Sequence, residues 1–333
     1  MKNSYVVSKE NFFDTLEKFG RKNGINLVKI SRKDTIGKSL KRIVFPPVEI
    51  LFHFKENLGI EVEPPKENEK ILVFGARSCE VEALKLVKRI AEDGFMDAYI
   101  LKRLSNLDVI ALECDSVVDS RCSCLIFGFG PEIKDNDVVS IIGTSIKNEK
   151  FLLRVNDNGK KLIKELISLG LNIQKAGKED LELRENIITK VKNDIKRNFG
   201  RDHTLDANFL NGKENRVKDI TKTLAKACLS CRICTFLCPT CHCFDVEDFF
   251  NELENFGYRL RYWDSCMNPE FSKTSFMNFR ESVESRLLHR TFHKLKYIPE
   301  RYNTLGCVGC GNCSRYCPVG IGIPEIVKLI YQT

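Results

Sequence analysis

The sequence lacks the features of a membrane-spanning or exported protein. It has no run of eighteen uninterrupted apolar residues, and its first twenty residues lack the apolar core of a signal peptide. We therefore expect a cytoplasmic protein with no membrane span.

The sequence also lacks the motifs that would place catalysis on this chain. No G-x-G-x-x-G follows a predicted strand, and there is no phosphate loop or nucleophile elbow. Five histidines form no metal-binding pattern. We therefore expect no catalytic residue, with any hydride chemistry carried out by a cofactor on another subunit.

Positive charge exceeds negative charge but is not concentrated in a tail. The 53 Lys and Arg against 45 Asp and Glu give a net charge of +8, spread over Lys-rich segments. This favours solvated helix faces or a basic docking face. The densest basic segment, "RLLHRTFHKLKY" at 286–297, predicts an amphipathic helix lying on a core. No basic stretch has the interleaved aromatics of a nucleic-acid module, so no nucleic-acid partner is expected.

The hydrophobic pattern predicts an α+β protein of two domains within 333 residues. Residues 1–200 predict an α/β domain with a mixed sheet: strands at 71–74, 108–113, 138–143 and 151–155, a turn at Gly75 followed by a helix, and a further helix stopped by Gly170. A polar linker is expected near 199–215. Residues 216–333 predict a helical, ferredoxin-like domain of helices and cysteine loops.

Cysteine, in contrast, is abundant, with 15 residues. Six of them lie in "CLSCRICTFLCPTCHCF" at 228–244, where three registers compete. The cysteines fit C-x2-C-x2-C-x3-C-P, the C-x3-C-x2-C of radical enzymes that bind S-adenosylmethionine, or two C-x2-C knuckles of a zinc site. Thiolate-rich clusters of this kind in a cytosolic protein indicate zinc or iron-sulfur sites.

An internal repeat favours the first register, because "CLSCRICTFLCP" recurs as "CVGCGNCSRYCP" at 307–318. In two-cluster ferredoxins of this spacing, the cysteine before proline binds the other cluster. Cluster one is therefore expected on Cys228, Cys231, Cys234 and Cys317. Cluster two is expected on Cys307, Cys310, Cys313 and Cys238. A zinc site built from two C-x2-C knuckles would not require the third cysteine or the proline. The C-x3-C-x2-C spacing of radical enzymes does not recur in the second repeat.

Glycines distinguish the two repeats. Gly306, Gly309 and Gly311 would let the second loop pass close to its cluster and direct amides at its sulfurs, which raises a reduction potential. We therefore predict a higher potential for cluster two than for cluster one.

Four more cysteines lie in the first domain. Cys79 begins the helix after Gly75, where a helix N-terminus would lower the thiol pKa. Cys114 ends a strand, and Cys122 and Cys124 follow in "DSRCSC". These strand ends and loops could converge at one sheet edge and bind a third cubane, or the four could be buried structural thiols.

These motifs together resemble a known family. "FGARSCEVEAL", "CDSVVDSRCSC", "CTFLCPTCHCFDVEDFF", "RYWDSCM" and "CVGCGNCSRYCPVGI" resemble the iron-sulfur electron-transfer subunit shared by cytoplasmic nickel-iron sulfhydrogenases, where it is the beta subunit, and anaerobic sulfite reductases. The resemblance implies three 4Fe-4S clusters, with the third on Cys79, Cys114, Cys122 and Cys124. It also implies a partner subunit that binds FAD and NAD(P)H, and a catalytic hydrogenase or sulfite reductase subunit.

Within that family, "WDSCM" is closer to the hydrogenase branch, while "FSKTSFMNFR" at 271–280 departs from both branches. The expected function is a relay of single electrons between the flavin partner and a nickel-iron (sulf)hydrogenase subunit. The alternatives are a sulfite reductase, a flavin oxidoreductase that feeds a disulfide reductase, and a cluster-bearing redox sensor or nucleic-acid-binding protein. Cys241, Cys243 and Cys266 remain as buried thiols or donors to cluster sulfurs.

Overall fold

The computed structural model describes residues 4–31, 39–56, 60–63, 69–134, 136–147 and 149–332. Its strands are β1 (Ser4–Ser8), β2 (Asn26–Lys29), β3 (Val48–Glu56), β4 (Ile60–Glu63), β5 (Ile71–Arg77), β6 (Leu107–Leu112), β7 (Ile141–Ile146), β8 (Lys150–Val155), β9 (Gln174–Lys175), β10 (Phe244–Asn251) and β11 (Phe256–Trp263).

The α-helices are α1 (Lys9–Asn23), α2 (Leu40–Val44), α3 (Ser78–Glu92), α4 (Ala98–Ser105), α5 (Lys160–Ser168), α6 (Lys178–Phe199), α7 (Glu214–Ala225), α8 (Ile233–Phe236), α9 (Val283–Phe292), α10 (Ile298–Tyr302), α11 (Asn312–Arg315) and α12 (Ile323–Tyr331). A π-helical turn, His293–Tyr297, joins α9 to α10.

A seven-stranded mixed sheet organises the first half of the chain, in the order β2-β5-β6-β7-β8-β1-β9. Neighbouring strands from β2 to β7 are parallel, and those from β7 to β9 are antiparallel. This confirms the predicted α+β class and the mixed sheet. The carboxyl ends of β5 and β6 therefore lie at the same edge of the sheet.

Helices cover both faces of this sheet, because its central strands are apolar on both sides. In β5, Leu72 and Phe74 pack into a core shared with α1 and α5. Val73 and Ala76 face the opposite core, which α2, α3 and α4 complete. This double cover fixes the strand that leads into Cys79.

Gly75 lies in a β-bulge and not in the turn that the sequence predicts. The strand continues to Arg77, with a register shift against β6 between Phe74 and Ala76. Gly75 has φ +95°, and a Cβ there would lie 2.4 Å from the carbonyl oxygen of Ile30. Only glycine fits this position, because both the backbone angle and the close approach of the neighbouring chain exclude a side chain.

The strand predicted at 138–143 begins three residues later than expected, at Ile141. The Asn136 side chain explains the shift, because its Oδ1 accepts from the amides of Val138 and Val139, both at 3.0 Å. This local turn occupies donors that a sheet ladder would need. The helix stopped by Gly170 forms as predicted, and Gly170 has φ +103°.

The hairpin of β10 and β11 is an element that the sequence prediction missed. It pairs with β3, giving a four-stranded antiparallel sheet in the order β10-β11-β3-β4. A buried ion pair reinforces the contact, since Arg261 Nε donates to Glu49 Oε1 at 2.7 Å. Arginines interrupt the alternation of apolar and polar residues in β11, so the sequence did not indicate a strand. In the fold, Arg261 pairs with Glu49 of β3 and Arg259 pairs with Asp248 of β10.

The polar segment near 199–215, predicted as a linker, packs on the core. Leu205, Phe209 and Leu210 are buried, and the amide of Leu205 donates to the carbonyl of Ile126 at 2.7 Å. Within the described ranges, no helix is long and apolar enough to cross a membrane.

Candidate iron-sulfur sites

The first cysteine cavity lies beside α8 and the end of α11. Three of its thiols come from the first repeat and one from the second repeat, more than eighty residues further along the chain. The four cysteines that line it are Cys228, Cys231, Cys234 and Cys317. These are the four residues that the sequence groups as cluster one.

The second cysteine cavity has the reciprocal composition. Cys307, Cys310 and Cys313 of the second repeat line it together with Cys238 of the first repeat. Cys234 and Cys241 also border this cavity. Because Cys234 lines both cavities, the two sites share a wall.

The two repeats have the same local backbone. Ser230 (φ 52°) and Arg232 (φ 67°) match Gly309 (φ 62°) and Gly311 (φ 78°), and all four are left-handed. Each loop then enters a helix of four residues, α8 or α11. The left-handed positions turn the chain so that the spaced cysteines of each loop face one cavity.

The third cysteine group comes from the sheet edge where β5 and β6 end. Cys79 is the second residue of α3, Cys114 follows β6, and Cys122 and Cys124 lie in the loop before β7. Burial raises the pKa of the Cys124 thiol well above its usual value, and the nearby charges of Cys114, Cys79 and Cys122 raise it further. The structure therefore brings these four side chains close together.

Cys79 does not have the lowered pKa that its helix N-terminus predicts. Burial raises the pKa of its thiol to about 12, and the charge of Arg77 only partly opposes that effect. Desolvation of the thiolate thus outweighs the helix dipole. The positively charged iron-sulfide core of a cluster would stabilise the thiolate in this environment.

The third cysteine group is in direct contact with the loop of the second cavity. Ser123 donates to the carbonyl of Gly309 from its amide at 2.8 Å and from its hydroxyl at 3.2 Å. A Cβ on Gly309 would lie 2.6 Å from the amide nitrogen of Cys124, and one on Gly311 would lie 2.6 Å from the carbonyl oxygen of Arg121. These glycines therefore allow two protein loops to touch, a reason the sequence alone did not reveal.

Two carboxylates, each paired with arginine, hold the third group in place. Asp119 accepts two hydrogen bonds from Arg315 of α11, at 2.7 and 2.9 Å. The buried carboxylate of Glu113, next to Cys114, accepts from Arg184 at 2.6 and 2.7 Å and from Arg154 at 2.8 Å. The cysteine loop is thus tied to α6 on one side and to α11 on the other.

Buried cations lie among the cysteines. Arg290 lines both cavities and Lys294 lines the second, and these residues are 3% and 2% exposed. The nearby thiolates raise the pKa of each cation, against the effect of burial. Cations buried beside thiols, and not beside carboxylates, fit an anionic group such as a thiolate-bound cluster.

The three remaining cysteines lie next to these sites. A hydrogen bond from Cys241 holds the pKa of Cys238 well below its usual value, with further help from Lys294 and Thr240. A hydrogen bond with Cys266 likewise lowers the pKa of Cys243 to about 7. Cys241 therefore contacts a predicted ligand, and Cys243 pairs with Cys266.

Three histidines form a row that the sequence did not predict. The His293 ring lies 5.8 Å from both His242 and His289. Burial lowers the pKa of His242 and His289 to about 4 and that of His293 to about 3, so all three are neutral near pH 7. The i, i+4 spacing of His289 and His293 could have indicated that these two histidines share a helical face. The position of His242 beside them could be found only from the fold.

The segment that departs from the family pattern forms an exposed apolar turn. Phe276, Met277 and Phe279 are exposed to 98%, 57% and 65%. The turn is ordered by Asn278, whose Nδ2 donates to the carbonyl of Pro269 at 2.8 Å and whose Oδ1 accepts from Ser272 at 2.8 Å.

The donor sets fit iron-sulfur clusters. Each cavity gathers the three x2-spaced thiols of one repeat and the thiol before proline of the other repeat, and the adjoining cations are placed to balance negative charge. In the part of the chain that the structure describes, no three His, Cys, Asp or Glu side chains are arranged to hold one metal ion. A cubane does not need such a group, because it distributes its thiolates over four irons.

The cysteine arrangement is typical of an iron-sulfur protein, and residues 227–321 match the family of 4Fe-4S dicluster domains. Along nearly its full length the chain is similar to the sulfhydrogenase 2 subunit beta of Pyrococcus furiosus. The two are 26% identical over 344 residues, which cover 96% of this chain and 94% of that protein. Together these findings support an iron-sulfur electron-transfer subunit family.

Proposed function

We propose that this chain relays single electrons between a partner subunit that binds FAD and NAD(P)H and a nickel-iron (sulf)hydrogenase subunit. Iron-sulfur clusters supply one-electron chemistry, which a flavin can couple to the two-electron chemistry of a pyridine nucleotide. The observation that carries the proposal is that three sets of cysteines lie next to one another in one chain. The similarity to a sulfhydrogenase beta subunit supports the choice of partners.

The proposed ligands are twelve cysteines in three sets of four. Cluster one would bind Cys228, Cys231, Cys234 and Cys317. Cluster two would bind Cys238, Cys307, Cys310 and Cys313. Cluster three would bind Cys79, Cys114, Cys122 and Cys124. The lining of the two cavities supports the first two sets, and the mutual electrostatic effects of the thiols support the third.

We further propose that cluster two lies between the other two. The wall that it shares with cluster one contains Cys234. Cys310 packs against the small buried cluster that contains Cys79 of the third group, and both cysteines line one cavity. The Ser123 to Gly309 hydrogen bonds join the same two loops. Such a series suits a relay, because each site would have a near neighbour on the path.

An alternative relay would serve an anaerobic sulfite reductase or a flavin oxidoreductase that feeds a disulfide reductase. The same cysteines would be used in each case, so the partners must decide. The exposed turn with Phe276 lies in the segment that departs from the expected pattern of both branches.

Anaerobic affinity purification of this chain from its host tests the proposal. Flavin and nickel, together with a large hydrogenase-like protein, are the expected companions. Sirohaem without nickel would instead indicate that the chain is a subunit of a sulfite reductase. Salt-sensitive binding to duplex DNA, with no reduction of the clusters by a reduced flavoprotein, would instead favour a sensor or nucleic-acid-binding protein.

A further inference from the structure

Two buried arginines lie where the cysteine sites adjoin. Arg290 lines both the first and the second cavity. Arg77 lines a separate cavity with Cys79 of the third group and with Cys238 and Cys310 of the second. Both side chains are inside the protein, since Arg290 is 3% exposed and Arg77 is 7% exposed. Each junction of the proposed series thus contains a buried guanidinium, and Lys41 and Arg42 also line the cavity at Arg77.

Arg290 has an unsatisfied buried group and lines two cavities with thiols. Its Nη1 atom has no hydrogen-bond partner among the described residues. The anionic groups with the largest effect on it are Cys234 of the first cavity and Cys313 of the second. A buried cation without a counter-charge is unfavourable by several kcal/mol. Its position is therefore best explained by negative charge on both sides when the sites are loaded.

Arg77 has a similar environment at the other junction. Its Nε atom lacks a partner within the described part of the chain, and the carboxylate of Glu80 is 3.8 Å away. Cys79, Cys114 and Cys310 are among the groups whose charges act on it. Cys79 and Cys114 belong to the third group and Cys310 to the second, so Arg77 is placed between two sites as Arg290 is.

On the basis of the proposed function, we propose that Arg290 and Arg77 are positioning residues that each raise the reduction potentials of two neighbouring clusters together. Reduction adds negative charge to a cluster, and a fixed cation in a dry interior stabilises the reduced form. A cation placed between two sites acts on both. Arg290 would therefore act on clusters one and two, and Arg77 on clusters two and three.

Redox-titrated EPR of the loaded protein tests this inference with crossed variants. Arg290→Met and Arg77→Met remove the charge at similar volume. Arg77→Met is combined with Glu80→Gln, and compared with Glu80→Gln alone, so that no buried carboxylate loses its partner. Signals are assigned beforehand from ligand variants that perturb one cluster each. Arg290→Met should lower the potentials of clusters one and two and leave cluster three unchanged. Arg77→Met should lower those of two and three and leave cluster one unchanged.

Charge-retaining variants provide the control. Arg290→Lys and Arg77→Lys should restore most of each shift, whereas a purely structural role for the guanidinium would not be rescued by an ammonium group. If a Met variant does not retain its iron, the matching Gln variant replaces it, because an amide can use the same polar surroundings. Unchanged potentials in fully loaded variants, or equal shifts of all three clusters, would overturn the inference.

The proposed function is tested separately in the same experiment. Wild-type protein that lacks three titrating clusters would contradict the three-cluster relay. Three titrating clusters with no response to the arginine variants would leave the relay intact and reject only the role of the arginines.

Discussion

Ser123 and Gly309 join two cysteine loops that are 186 residues apart in sequence, through an amide hydrogen bond of 2.8 Å and a hydroxyl hydrogen bond of 3.2 Å to one carbonyl. Ser123 is fully enclosed at 1% exposure. The contact connects a cysteine group of the α/β region to a loop of the dicluster domain. It places one candidate site immediately beside the next.

Gly309→Ala should disrupt this contact. The new Cβ would lie 2.6 Å from the Cys124 amide nitrogen, on a backbone with φ +62°. Gly320→Ala is the matched control, because Gly320 has φ +69° but nothing within 4 Å of its Cβ. We expect the control to lose roughly 1 kcal/mol of unfolding free energy and Gly309→Ala clearly more. Equal losses in chemical denaturation would show that the loops do not need this close approach.

Cys317→Ser tests the exchange of ligands between repeats. Although Cys317 belongs to the second repeat, its loss should perturb the EPR signal of the cluster held by Cys228, Cys231 and Cys234. Cys238→Ser should perturb the other signal. Cys241→Ser, which alters a neighbour of Cys238 that is not a proposed ligand, should keep the full iron content. A Cys317 variant that alters only the second-loop cluster would reverse the assignment.

Cys79→Ala tests the third cluster. Removing one of four thiolates should release that cluster and lower the iron content by about four per chain, from an expected total of about twelve. Cys243→Ala is a suitable control, since Cys243 pairs with Cys266 outside the proposed ligand sets. Iron and sulfide analysis after anaerobic reconstitution gives the answer. Unchanged iron content would reject the assignment of Cys79.

Cluster two should have a higher reduction potential than cluster one. The amide of Gly309 donates a hydrogen bond to Cys307 Sγ at 3.5 Å. The amides of Asn312 and Thr240 likewise hydrogen-bond the sulfurs of Cys310 and Cys238. Around the first cavity, the amide of Ile321 donates to Cys317 Sγ at 3.2 Å.

The ammonium of Lys294 adds to this difference, because it lies at the second cavity and donates to Thr240 Oγ1 at 2.7 Å. Lys294→Met should therefore lower the potential of cluster two more than that of cluster one. Redox-titrated EPR measures both, and one shared potential in the wild type would contradict the account.

Glu113→Ala should be strongly destabilising. It removes a carboxylate from between Arg154 and Arg184 and leaves both cations buried without it, at an expected cost of roughly 3–5 kcal/mol. Glu185 offers a matched control, because it also contacts Arg184, at 3.1 Å, but its side chain is 64% exposed. We expect Glu185→Ala to change the unfolding free energy by less than about 1 kcal/mol. Similar values for the two variants would show that the buried network contributes little.

The sequence was sufficient where one local pattern decides the outcome. The apolar run at Ile71 predicted a strand that leads into a helix, and β5 and α3 form there. The doubled cysteine motif predicted that thiols of both repeats share sites, and the lining of the two cavities agrees with it, while the ligands of each cluster stay a prediction. Prediction from the sequence failed where residues far apart in the chain contact one another. Gly309 was expected to direct its amide at a cluster sulfur, and it does donate to Cys307 Sγ, but the sequence did not reveal that it also makes room for Cys124, which is far away in the chain.

The arginines show the same limit. The basic segment 286–297 predicted an amphipathic helix, whose cations would ordinarily be solvated. Arg290 and Lys294 are instead buried, because the fold places thiols from two distant loops around them. Charge counting cannot distinguish a solvated lysine from one that faces a cysteine cavity, so this feature needed the three-dimensional arrangement.

The most direct test of the relay is rapid-freeze EPR on the native complex, purified anaerobically and mixed with NADH or NADPH. If electrons pass through this chain, signals from the reduced form of all three of its clusters should appear within the time of one catalytic turnover. Turnover of the complex while these clusters remain oxidised would contradict an electron-transfer role.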